Sequence, residues 1–473
     1  YRRGLSVVVL SDAVVSNDPV HAVSTLAWLN GRVADVVPFS EIAKLVRRSG
    51  REWDELGERI DAARSSAVPL NTTLAERSAI LHRFADRIES KAKRFAKDIA
   101  STVRKPQTLA EDEVARAVSH IRTAANLPDN GFVLETEVAP GVIARNEPVG
   151  VVGLLMPWNN PLAIPAGKIA AAFLGGNAIV FKPSPLDGGI GALLVAEARA
   201  AGIVGLEIVD AADSIGAQIA WHPDIDAIAI TGSIAAGREV ARAVAATGKT
   251  LQAELGGNNA AIVAADADLA QAIPRLGRAG FWHAGQACVS VQRIFCARGI
   301  LDDLTAGLSQ VADRMVIGDP TRPETEVGPI ITHAEADRIA SWVAASGARI
   351  ATGGKRLSPS TYANTVLVNP DPMADVSRRE VFGPVVCLYP YDDIDTAIAT
   401  ANDLPFSFQA AVFSRNMRDL GTPVYGVRFF AHDPLMAYLA LGSIVLAVTG
   451  AMTSSNFAAT SGGSDDATCA AAV

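Results

Sequence analysis

The chain has 473 residues, too many for one small core and a length that suits two or three domains. With 49% hydrophobic and 19% charged residues it has the composition of a soluble globular enzyme, and its net charge of −8 argues against a nucleic-acid partner, since neutralising phosphates takes clustered Lys and Arg. Four cysteines (Cys288, Cys296, Cys387, Cys469) form no CxxC pair and the seven histidines no HExxH, so neither a metal site nor a disulfide framework is expected. A reducing cytoplasm suits an isolated thiol that has to stay a thiol. The chain starts at Tyr1 with nothing resembling a signal peptide, and that start reads as a fragment boundary.

Residues 1–66 form an atypical first zone. Gly4 to Asp12 reads as a buried parallel strand, followed by helical patterns at His21–Trp28 and Phe39–Arg47. This pairing resembles the C-terminal end of an isochorismatase-like cysteine hydrolase, but no cysteine precedes Cys288, so a packing element is expected here rather than hydrolase activity. The charged stretch Arg47–Arg64 reads as an amphipathic or solvated helix.

From Ala67 to Leu420 strands and helices alternate. Val149–Met156, Asn177–Phe181 and Asp226–Ile230 are short apolar runs bounded by Gly, Pro or Asn, with helical patterns at Ala163–Leu174, Ile190–Ala201 and Ala236–Ala246. A second series runs from Ala260 to Phe413. The expected fold class is α/β, with two doubly wound parallel-sheet domains at 67–253 and 254–420.

Three motifs carry the chemistry. Gly285-Gln-Ala-Cys288 places a thiol after a Gly-Gln turn, between a helix expected at Leu269–His283 and a strand at Val289–Phe295. Such a turn can aim backbone N–H groups at sulfur and lower its pKa. A lone cysteine is more often core than nucleophile. In Leu251-Gln-Ala-Glu-Leu-Gly-Gly-Asn258, Glu254 sits among apolar residues and glycines, where desolvation would raise it towards the range of a general base; alone, it reads as a surface Glu at a strand end. Met156-Pro-Trp-Asn-Asn-Pro161 puts an amide at the C-terminal edge of a strand, placed to donate to an oxyanion, or as an ordinary turn Asn.

Together and in this order, the motifs resemble the aldehyde dehydrogenase superfamily patterns "PWN(F/Y)P", "ELGG" and "GQxC". Lys182-Pro-Ser184, Ile230-Thr-Gly-Ser-Ile-Ala-Ala-Gly237 and Glu380-Val-Phe-Gly-Pro384 follow in register. The resemblance implies that Cys288 attacks an aldehyde to give a thiohemiacetal, that Asn159 and the Cys288 N–H hold its oxyanion, and that Glu254 activates the water that hydrolyses the resulting thioester. Lys168 would relay protons and contact ribose. It also implies NAD or NADP as hydride acceptor. The expected binding residues are Lys182 and Ser184, the helix start after Gly232 and Ser233 with Gly237 behind it, Trp158, Leu255, Glu380 on the nicotinamide ribose and Phe382 against the ring.

Some positions depart from the family. Pro185 replaces a glutamate that often grips the ribose diol in NAD-preferring members, Gly167 replaces a tryptophan, and His283 an asparagine. The family's "PFGG" turn and final strand are not found after Leu420, and its early hairpin is not recognisable before Ala67, so a homo-oligomer is possible but doubtful. Residues 421–473 form an atypical end: 19 uncharged residues at Pro434–Met452, within a stretch resembling potassium-uptake (Kup-type) transporters, are a marginal span or a buried element, and the tail beyond reads as disordered. The leading expectation is oxidation of an aldehyde to an acid. The alternatives are a CoA-acylating semialdehyde dehydrogenase, disfavoured by Glu254, and a folded but inactive or membrane-tethered relative.

Overall fold

A computed structural model of the protein describes residues 8–10, 35–37, 53–67, 72–210, 214–404, 406 and 409–415. Two short strands, β1 (Val8–Leu10) and β2 (Asp35–Val37), pair in parallel, the first within the expected N-terminal strand. The helical patterns at His21–Trp28 and Phe39–Arg47, the Pro434–Met452 stretch and the tail lie outside the described residues.

Helix α1 (53–65) decides between the two readings of its charged stretch. Leu56, Ile60 and Ala63 recur at helical spacing and are fully buried, so the helix is amphipathic. It packs in one cluster with Val151, Val180 and Ile228. Helix α2 (Leu74–Ser90) opens on a capping box in which Thr73 and Glu76 each accept the other's backbone N–H. With α3 (Ala92–Thr102) and α4 (Gln107–Ala125) it contributes Phe84, Ile88, Phe95 and Ile121 to the largest core cluster.

An antiparallel hairpin follows, β3 (Glu135–Ala139) and β4 (Val142–Arg145), exposed at every residue. No sequence pattern announced it.

The first sheet is built from β5 (Val151–Leu155), α5 (Ala163–Leu174), β6 (Ala178–Lys182), α6 (Ile190–Ala201), β7 (Leu206–Ile208), α7 (Ser214–Trp221), β8 (Ala227–Gly232), α8 (Ile234–Thr247) and β9 (Thr250–Leu255). Its five strands are all parallel, in the order β7-β6-β5-β8-β9. β5 and β6 are buried throughout because helices cover both faces, which is why they read as unbroken apolar runs. α5 and α6 have the expected bounds; α6 is punctuated by Gly189 and Gly202 at φ of +89° and +104°.

The second sheet uses β10 (Asn259–Val263), α9 (Leu269–Phe281), β11 (Val291–Ala297), α10 (Leu301–Arg314), α11 (His333–Ala344), β12 (Arg349–Thr352), a small hairpin β13 (Arg356–Ser358) and β14 (Thr361–Tyr362), β15 (Thr365–Val368), α12 (Asp375–Arg378), β16 (Val385–Tyr391), α13 (Ile394–Asn402) and β17 (Ala410–Phe413). Its order is β12-β15-β16-β11-β10-β17, parallel except for the edge pair β12–β15. The fold class is therefore α/β with two parallel-sheet layers, as expected. Among the described residues no helix is long and apolar enough to cross a membrane, and no cluster of metal-ligating side chains occurs.

Candidate active site

The motif residues converge where the C-terminal ends of the first sheet's strands meet the N-terminal ends of the second's. Asn159 follows β5, Lys182 ends β6, Gly232 ends β8 with Ser233 just after it, and Glu254 and Leu255 end β9, with Glu254 paired to Thr231. Cys288 precedes β11, while Glu380 and Phe382 precede β16.

The helix before Cys288 stops at Phe281, two residues short of its expected end, and the strand starts at Val291 rather than Val289. A single turn of 3-10 helix, Trp282–Gly285, intervenes, with His283 and Ala284 at positive φ (+47° and +55°), which an α-helix cannot carry. Phe382 (φ +46°) adds a third strained non-glycine residue nearby. At Gly285 (φ +68°) a Cβ would lie 2.0 Å from the Gly383 carbonyl oxygen, so only glycine lets these loops touch.

Hydrogen bonds from distant segments hold the nucleophile loop. The Asn159 amide donates to the Gln286 carbonyl at 3.0 Å, and the Gln286 side chain accepts from Ile331 N–H at 2.8 Å. The Asn259 amide donates to the carbonyls of Cys288 (2.6 Å) and Ser290 (2.9 Å). Gln409, just ahead of β17, donates from its backbone to Asn259 and from its side chain to the Val289 carbonyl.

The Cys288 thiol corrects one expectation. Its pKa is pushed up to about 12, not lowered. Burial is the main cause, and the negative charges of Glu380 and Glu254 add to it. Backbone N–H groups of Cys288 and Val289 do point at the sulfur and pull the other way, but they lose. Cys296 and Cys387 also stand at about 12 and are fully buried, whereas Cys288 retains partial exposure. Because a raised thiol pKa leaves the protonated form dominant well above neutrality, alkylation of Cys288 by iodoacetamide in the protein alone should be slow at pH 7.5. It should rise about tenfold per pH unit up to around pH 11. Mass-spectrometric counting of label at Cys288 checks this; a plateau reached by pH 8 would contradict it.

Glu380, half-buried against the glycine turn after β9, accepts from Gly257 N–H at 3.2 Å and is raised to about 7, chiefly by desolvation. A Cβ on Gly256 would lie 1.9 Å from its carboxylate. Gly237 and Leu255 pack on each other, a Cβ at 237 falling 2.4 Å from the leucine methyls, which brings α8 close to β9. Ser233 caps α8 by accepting Ala236 N–H. Trp158 packs edge-on against Phe382 (5.7 Å) and His283 (6.2 Å). Lys182 is buried, with Nζ donating to the Pro183 carbonyl at 3.2 Å, and Ser184 Oγ accepts from Leu186 N–H beside exposed Pro185.

Lys168 on α5 is 5% exposed, and its Nζ has no hydrogen-bond partner. Its pKa is lowered by burial, against the opposing pull of Glu254. Thr231 Oγ1 is also buried and unpartnered. An orphaned ammonium, an orphaned hydroxyl, two glycines without room for side chains and a helix N-terminus form a cradle that fits a phosphate-bearing dinucleotide.

A profile of the aldehyde dehydrogenase family matches residues 35–423. The chain belongs to the aldehyde dehydrogenase family. The match starts at 35 rather than 67, taking in α1. Among relatives, the 2-hydroxymuconic semialdehyde dehydrogenase of Pseudomonas sp. (strain CF600) is 32% identical over 81% of this chain and 83% of its own length. Geranial dehydrogenase of Castellaniella defragrans is 34% identical over 72% and 73%. In structure the chain is similar to aldehyde dehydrogenase C from Pseudomonas syringae in complex with NAD+ and octanal, with a TM-score of 0.75 at 31% identity and 80% of each chain covered. The protein is an NAD(P)-dependent aldehyde dehydrogenase in fold and activity class.

The motifs missed a second polar group. Lys105 and Glu113 form a fully buried ion pair, Lys105 Nζ also donating to Asn160 Oδ1 at 3.0 Å. Glu113 accepts the backbone N–H groups of Leu162 and Ala163 at 2.9 and 3.2 Å, and so fixes the loop that carries Asn159. Leaving one member of such a pair alone costs about 3–5 kcal/mol. The available signal was Asn160 itself, which stands where the family pattern has Phe or Tyr.

Proposed function

We propose that Cys288 is the nucleophile of an aldehyde oxidation completed by hydrolysis. The observation that carries this reading is the Asn159 amide bonded to the backbone two residues before the cysteine. The Cys288 thiol gives up its proton to solvent water as sulfur adds to the carbonyl carbon, and the new oxyanion is received by the Asn159 amide and the Cys288 N–H, donors fixed in place before the reaction. A bound nicotinamide dinucleotide would supply the hydride acceptor for this adduct. Glu254, whose charge acts on both the Cys288 thiol and Lys168, takes the proton of the water that opens the thioester. Lys182 and Ser184, Gly232, Ser233 and Gly237, Leu255 and Lys168, and Glu380 with Trp158 and Phe382 would hold the cofactor. Purified protein assayed with a panel of aldehydes for NADH and NADPH formation tests the reading; no turnover of any aldehyde with either cofactor would defeat it.

Exposed Pro185 presents no carboxylate to a 2′-phosphate. Activity with NAD and NADP is therefore expected to differ by less than about 100-fold in kcat/KM, roughly 2.7 kcal/mol. Pro185→Glu should move the ratio towards NAD, as measured by steady-state kinetics with both cofactors.

The domain division proposed is 67–253 for cofactor binding and 254–420 for catalysis, with the sheets changing over between β9 and β10. A cytoplasmic setting is proposed on the reduced thiol that the chemistry needs. A homo-oligomer is supported by the hairpin β3–β4, where Val138, Val142 and Ile143 are 62%, 53% and 62% exposed. For residues 434–452 the preferred reading is not a bilayer span, because no Lys or Arg cluster flanks them. The isochorismatase-like and transporter-like readings of the two ends rest on short stretches of sequence.

A further inference from the structure

Several polar groups near the Asn159 loop are unused by the mechanism above. Arg116 and His120, four residues apart, share one face of α4. Arg116 is half-buried, donates from Nη2 to Asn160 Oδ1 at 3.1 Å, and has no carboxylate partner among the described residues. Its guanidinium lies 6.0 Å from the Trp282 ring, a few residues ahead of Cys288. His120 donates Nδ1–H to the Ala163 carbonyl, 3.1 Å away, and burial lowers its pKa, so its Nε2 is an acceptor and its role here is to hold the Asn160 loop. Its Cβ lies 3.2 Å from where a Cβ on Gly167 would be, so it takes the space beside Lys168 that a larger residue at 167 would fill.

Two further groups point to a missing partner. His283 is 1% exposed with neither ring nitrogen hydrogen-bonded, and Trp282 Nε1 is buried and equally unpartnered. Buried polar atoms are normally satisfied, and a cluster of unsatisfied ones marks a place where a ligand supplies the bonds. Charge names the kind of ligand. Lys105 and Arg116 contribute two positive charges, against the single negative charge of Glu113. Burial together with those two cations holds His283 neutral, well below the ordinary histidine range. The local surplus is positive, and among the described residues no carboxylate pairs with Arg116. A guanidinium with free donors in a partly desolvated site recognises a carboxylate in a fixed geometry.

We propose that Arg116 and the Asn160 amide receive a carboxylate at the far end of the substrate, so that the enzyme oxidises short aldehydes that are also acids, the aldehyde carbon reaching Cys288. The proposal rests on the aldehyde-oxidising reading above. The substrate's two ends are then read separately: Asn159 and the Cys288 loop take the carbonyl, and the next residue, Asn160, with α4 takes the anion. Arg116 is a specificity-determining residue in this scheme.

The test compares glutaric semialdehyde with pentanal by NADH or NADPH formation, and measures glutarate binding to the cofactor-loaded protein by calorimetry. The wild type should favour the semialdehyde by about 30-fold or more in kcat/KM, and Arg116→Met should cut that ratio by at least about 30-fold. Arg116→Lys, which keeps the charge without the fork, should fall between. Glutarate should bind the wild type and be lost in Arg116→Met. A wild type that treats the two aldehydes alike, or a variant that lowers both equally, overturns the proposal. Should no aldehyde be oxidised while glutarate still binds through Arg116, the anion site stands and the catalytic reading fails; absence of glutarate binding overturns the site whatever the turnover.

Discussion

Cys288→Ala should lower turnover by on the order of 10⁴-fold or more, because it removes the atom to which the substrate is bonded in every later step. The same exchange at Cys296 or Cys387 should leave most of the activity. Those thiols are sealed in the second sheet's core, and their loss opens only a small cavity there. Steady-state kinetics on the three variants, with circular dichroism to confirm folding, makes the comparison. Ordinary kcat in Cys288→Ala would end the covalent mechanism.

Glu254→Gln is the second large effect. Acylation does not need the hydrolytic base, so the variant should release about one reduced dinucleotide per site in a rapid burst. It should then turn over on the order of 100- to 10,000-fold more slowly. Stopped-flow absorbance resolves the two phases. Loss of burst and turnover together would place Glu254 earlier in the sequence, at deprotonation of the high-pKa thiol, or in the fold alone. Resolution of the acyl-enzyme by added CoA would bring back the acylating alternative.

Much of this architecture was legible because apolar runs and their punctuation coincide. α5 and α6 fall where the pattern placed them, since their glycine boundaries leave the backbone little choice, and β5 and β6 are long enough in Val, Ile and Leu to be buried strands whatever surrounds them. Asn159, Glu254 and Cys288 carry meaning in the sequence only as a set, each ambiguous alone, and their catalytic roles are those proposed above. Three properties were not legible. The β3–β4 hairpin has no alternation and every residue exposed, so no buried face marks it. Lys105 and Glu113 belong to no motif, and their pairing across the start of α4 becomes visible only when α5 packs over it. The Cys288 shift is set first by burial in the folded loop and then by Glu380, which lies far along the chain and approaches against Gly256 and Gly257.

The stitching of the nucleophile loop has a consequence for how activity is gained and lost. Residues 159, 259, 331 and 409 must all be in place before the thiol is aimed, and the last of them leads into β17, an edge strand only partly buried. Edge strands open at a lower free-energy cost than central ones. Local opening of β17 would therefore release Gln409 and loosen the nucleophile loop while the rest of both sheets stays paired. A molecule whose two sheets are otherwise intact can be silent for want of a single strand.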